Sequence, residues 1–115
     1  MSRKPSSTPV DTLDHEILGE KAAALGRVGR GLDAALADLR AFDAAHPPRD
    51  HGWPADAGTA RRRRELVRAA GRALWMFAVQ REACGLNETR SLKRDLAIPP
   101  EVWDCMGMTA VRPTT

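Results

Sequence analysis

Between Arg61 and Leu86 the chain runs for 26 residues without a proline, and Gly71 is the only glycine before the closing Gly85-Leu86 pair. The apolar residues Leu66, Ala70, Ala73, Leu74, Phe77 and Cys84 recur every three or four positions, the spacing of one face of an α-helix. Gly85 stands where a left-handed cap residue ends such a helix, and Leu86 where that cap makes its apolar contact. A helix with one apolar face needs a partner, so the rest of the chain is read as what covers it.

The partner lies upstream. Asp11 or Thr12 can cap a helix beginning near Leu13, and Asp14 and Glu16 complement the positive end of its dipole. From there to about Ala45 there is no proline. Leu18, Leu25, Leu32 and Leu39 recur every seven residues, Val28, Ala35 and Phe42 fill the seam between them, and Lys21 is its one polar break. This heptad fits a parallel leucine zipper, and it equally fits one face of an antiparallel hairpin. Gly26, Gly29 and Gly31 favour the hairpin, because each costs about 1 kcal/mol of helix propensity relative to alanine. With Gly19, Ala22 and Ala23 two of these glycines make a small-residue stripe that a second helix can approach closely. His46-Pro47-Pro48 ends the helix, since a residue before proline is pushed out of the helical region.

Residues 46–58 form the connection, with Trp53-Pro54 expected to fold back over the hairpin end, and Thr59 is the expected N-cap of the second helix. Beyond Gly85-Leu86, Asn87 can cap a short helix from Glu88 to Leu96. Ile98-Pro99-Pro100 breaks it, and a fourth helix runs through Met106 until Gly107 stops it. Leu92, Leu96, Ile98, Val102, Trp103 and Met106 read as an apolar lid over the end of the hairpin. The domain boundaries follow: a disordered lead-in at 1–10, one helical domain at 11–107 and a tail at 108–115.

With 115 residues the chain holds one domain. Two Phe, three Trp and no Tyr imply a core that is thin or shared with another chain. No stretch approaches 18 consecutive apolar residues, which excludes a helical membrane span, and MSRKPSSTPV lacks the apolar segment of a secretory signal. A cytoplasmic setting with reduced Cys84 and Cys105 is therefore expected. The net charge of +3 is unevenly spread. Residues 11–45 hold seven acids against four bases, and residues 61–86 hold seven arginines against Glu65 and Glu82. Attraction between the two helices within one molecule explains this most simply, and an anionic partner for the basic helix is the alternative.

Arg61, Arg62, Arg63 and Arg64 lie at the positive end of a helix dipole, which is locally unfavourable. They are the candidate patch for an acidic protein or nucleic acid, or else they pair with Asp38 and Asp43 across an antiparallel hairpin. Residues Gln80 to Arg94 scan as a helix-turn-helix, with Thr89, Arg90, Lys93 and Arg94 on the second helix. Its candidate recognition helix is short and closed by a proline pair, so DNA binding is the secondary reading. His46, Asp50 and His51 lack the spacing of a metal site, and Cys84 reads as a small core residue rather than a nucleophile. No phosphate loop, nucleophile elbow or paired helical histidine is present. No catalytic residue, metal or cofactor is assigned.

The phrases Ile17 to Arg27 (ILGEKAAALGR), Ala73 to Leu86 (ALWMFAVQREACGL) and Ile98 to Val102 with Met106-Gly107 resemble a family of small, uncharacterised bacterial helical proteins. That resemblance covers roughly residues 13–107 and implies an all-α fold with no assigned activity. The expected architecture is a long antiparallel hairpin of residues 13–45 and 60–84 capped by two short helices. The expected role is a self-associating dimer in which seams pair, coiled-coil fashion, in a four-helix bundle. The seam residues are Leu18, Leu25, Val28, Leu32, Leu39, Phe42, Leu66, Leu74 and Phe77.

Overall fold

The computed structural model describes residues 9–47, 56–86 and 90–110. They form four helices: α1 (Pro9–Ala45), α2 (Ala57–Ala83), α3 (Arg90–Asp95) and α4 (Pro100–Ala110). α2 packs against α1 on one side and α4 on another. The fold is the expected all-α hairpin with two short C-terminal helices.

Three boundaries differ from those expected. α1 begins at Pro9 rather than near Leu13, because a proline suits the first helical turn, whose N–H groups have no intrahelical partner. α2 begins at Ala57, and its N-cap is Asp56, not Thr59. The Asp56 carboxylate accepts the backbone N–H of Thr59 at 2.7 Å, and the Thr59 hydroxyl donates to it at 3.0 Å. An aspartate three residues earlier thus closes the first turn that Thr59 alone was expected to open. α4 continues through Gly107 to Ala110, three residues past the boundary expected at Gly107. The lead-in at 1–8, the Trp53-Pro54 turn, the Asn87 cap and the last five residues lie outside the described residues.

The helix ends follow from local chemistry. α1 closes with the His46 N–H donated to the Phe42 carbonyl at 2.9 Å, and the His46 ring stacks on Phe42 with centroids 4.2 Å apart. α2 ends as read from Gly85, whose φ is +84°. Leu86 N–H reaches the Arg81 carbonyl at 2.8 Å and Gly85 N–H reaches Glu82 at 2.9 Å, the paired bonds of a Schellman cap. α3 ends in the same motif, with Ile98 N–H on the Lys93 carbonyl at 3.0 Å and Ala97 N–H on Arg94 at 3.2 Å. There the left-handed position is held by Ala97, at φ +51°, rather than by a glycine.

The core sits in the half of the hairpin nearest the α1–α2 connection. Leu32, Leu36 and Leu39 of α1 meet Leu66, Ala70 and Leu74 of α2, and Leu92, Ile98 and Val102 close the cluster from the C-terminal segment. Leu96, Trp103 and Met106 pack against its rim, as the lid was read. A small residue lets α4 approach: a Cβ on Gly71 would stand 3.2 Å from Cys105 Sγ. Of the small-residue stripe on α1, Gly29 is where the other helix comes close: a Cβ there would stand 3.3 Å from the Phe77 ring.

Candidate interaction surface

α1 is ten residues longer than α2, so an antiparallel pairing leaves part of it uncovered. The Cys84 thiol just past α2 lies 3.7 Å from the Lys21 carbonyl, which marks the level where α2 stops. Residues 9–20 therefore project beyond the hairpin as an arm about 18 Å long at 1.5 Å per residue. Val10, Leu13, Ile17 and Leu18 on this arm are 65%, 54%, 42% and 62% exposed. Stepping by three, four and seven residues, they continue the helix face that carries Leu25, Val28 and Leu32. Burial along the seam is graded: Leu18 is exposed, Leu25 and Val28 half-buried, and Leu32 and Leu39 fully buried. On the facing helix Leu66 and Leu74 are buried, while Phe77, like Phe42, is half-buried.

The arginine run divides. Arg63 turns inward, with a side chain only 14% exposed. Its guanidinium donates to both oxygens of Asp43 at 2.8 and 2.9 Å and to both oxygens of Glu101 at 2.7 Å each. This clamp ties α1, α2 and α4 together, and the two carboxylates hold the Arg63 pKa above its ordinary value. Arg63 is thus removed from the four-arginine patch read as a site for an anionic partner. The Arg63–Asp43 half of the clamp is the intramolecular pairing foreseen for the hairpin. Arg62 lies 3.4 Å from Glu65 in an exposed pair worth little. Arg61 and Arg64 are exposed, and Arg68 and Arg72 continue on the same side of the helix one turn at a time. That outer face then becomes apolar at Trp75, Met76 and Val79, which are 39%, 50% and 42% exposed.

A model of one protein family matches residues 2–114, nearly the whole chain. The chain belongs to DUF6665. DUF6665 is a family of unknown function, which agrees with the resemblance to uncharacterised helical proteins. No curated protein and no solved structure matches the chain.

The remaining motifs of this DUF6665 protein are placed as follows. α3 of the helix-turn-helix phrase has six residues. Lys93 lies 6.0 Å over the Trp103 ring, and Arg94 is 3.8 Å from Asp95. Thr89 lies outside the described residues, as do Asp50 and His51. Among the described residues there is no group of three or more His, Cys, Asp or Glu placed to hold a metal ion, and no helix long and apolar enough to cross a membrane. Beyond Asp56 and Glu101, Leu36 and Arg40 also escaped the sequence. Leu36 is buried beside Leu32 and Leu39 but lies off the seven-residue repeat. Arg40 donates to the Leu96 carbonyl at 3.0 Å and the Ala97 carbonyl at 3.4 Å, fastening the α3–α4 turn to α1. Neither bond had a local signal, since each joins residues 56 or 57 positions apart.

Proposed function

We propose that this protein is a self-associating helical module whose contact surface is the projecting arm of α1. The supporting observation is the arm itself: four large apolar residues on one face, left uncovered because α2 ends beside Lys21. Scattered exposed apolar residues are ordinary on protein surfaces, but a row that continues the core seam is a half-built interface. Burying an aliphatic side chain stabilises by about 1.5–3 kcal/mol when it starts fully exposed. Eight roughly half-exposed residues from two arms thus supply about 8 kcal/mol before the cost of association, about 4 kcal/mol or more. That leaves about 4 kcal/mol at most, a Kd of about 1 mM, so the concentrations to examine run from about 10 μM to about 1 mM. The expected bundle of paired seams is confined to the arm, because α2 already covers the seam from Leu25 onward within one chain. The helices from Pro9 to Ala110 act as the folded unit, and the two thiols together with the alanine- and arginine-rich composition support a bacterial cytoplasmic setting.

Sedimentation velocity tests the proposal. The wild-type chain is expected to sediment as a dimer, and Leu13→Asp with Leu18→Asp as a monomer of unchanged helical content. A compact wild-type monomer across this range would refute it.

A further inference from the structure

Resting on that self-association, we infer the surface that receives the arm: the outer face of α2 in a second copy, from Arg72 through Trp75, Met76 and Val79. The direction of the arm carries the inference. Its exposed residues continue the α1 seam, so they face the space that α2 would fill if it were about twelve residues longer. A second copy, turned by a two-fold axis at the end of α2, fills that space with its own α2. The two α2 helices then lie end to end between the two α1 helices. Each arm rests on the outer face of the other copy's α2, and the contact closes as a symmetric dimer.

Three observations fit this arrangement. At 1.5 Å per residue, arm residues 10–18 stand beside residues 72–80 of the second copy, where the exposed Trp75, Met76 and Val79 lie. The charges are opposite: residues 9–20 contain Asp11, Asp14, Glu16 and Glu20 and no Lys or Arg, whereas the receiving face is entered from Arg68 and Arg72. The pairing is open only between molecules, because a chain's own arm points away from its own Arg72–Val79 face. Arg81 in the last turn of each α2 counters the like dipole ends that meet at the two-fold axis. The arrangement also gives the uneven charge of the chain a role between molecules, beside the Arg63–Asp43 pair within one.

Directed cross-linking tests it. In full-length chains carrying Cys84→Ser and Cys105→Ser, one chain bears Leu13→Cys and another Met76→Cys. The two are mixed and oxidised with copper phenanthroline. A covalent dimer in the mixture but not in either chain alone is the expected result. Cross-linking of the Leu13→Cys chain to itself would overturn the α2 surface in favour of arm-on-arm pairing, while self-association stood. In the uncross-linked protein, Met76→Asp with Val79→Asp is expected to weaken the dimer at least a hundredfold with the helical signal unchanged. Retention of wild-type affinity in that variant would likewise overturn it. A wild-type chain that is monomeric up to about 1 mM would remove both proposals together.

Discussion

Replacing Arg63 by alanine is the sharpest test of what holds the three main helices together. The side chain makes four charged hydrogen bonds, two to Asp43 on α1 and two to Glu101 on α4. Breaking a buried ion pair from one side costs about 3–5 kcal/mol, largely because the remaining charge is stranded. Here the carboxylates keep contact with water, Asp43 being 32% and Glu101 48% exposed at the side chain, so solvent screening reduces the effect. We expect Arg63→Ala to lose about 2–3 kcal/mol, a fall in Tm of about 10 °C for a domain of this size. Arg63→Lys should recover only part of this, since an ammonium cannot form two bidentate pairs. The assay is urea and thermal unfolding by circular dichroism, with Arg64→Ala as the exposed control, expected within about 0.5 kcal/mol of wild type. A double-mutant cycle with Glu101→Gln should give a coupling energy of at least about 1 kcal/mol. Equal losses for Arg63→Ala and Arg64→Ala, or no coupling to Glu101, would refute the clamp.

Three further outcomes are expected. Gly71→Ala should destabilise, because its new Cβ would press on Cys105 at 3.2–3.4 Å at about 1–3 kcal/mol, more than the roughly 1 kcal/mol of helix propensity it gains. Gly31→Ala, with open space around it, should stabilise by about 1 kcal/mol, and urea midpoints of the two variants would show the opposite signs. Ala97→Gly should also raise the urea midpoint, by about 1 kcal/mol of stability, because Ala97 occupies the left-handed region that costs an L-residue this much. The Asp56 pKa lies below its ordinary value, chiefly through the hydrogen bond from the Thr59 N–H. A depressed carboxylate pKa contributes stability that is present above the unfolded value and lost as pH falls through the folded one. The stability difference between wild type and Asp56→Ala should therefore shrink as urea titrations move from pH 7 to pH 3; a constant difference would show that the charged form is not what the cap uses.

The helices and their order were legible in the amino-acid sequence. Their signals are local: apolar residues three and four apart, prolines at 47 and 100, and Gly85 at the left-handed cap position. The sequence also placed Leu32, Leu39, Leu66 and Leu74 on facing sides, because a seam must be buried somewhere. Tertiary structure alone decided where along the seam burial stops. Leu18 and Leu39 occupy equivalent places in one heptad, yet Leu18 is 62% exposed and Leu39 1%. The difference comes from the length of α2 and from the Lys21–Cys84 level at which it ends. Tertiary structure also decided which arginine of four is structural. Arg61, Arg62, Arg63 and Arg64 are identical in type and adjacent in sequence, and only the inward rotation of Arg63 brings it to Asp43, 20 residues away, and Glu101, 38 residues away. A repeat records which face a residue is on, but the neighbour that covers that face is set by how far the helices overlap.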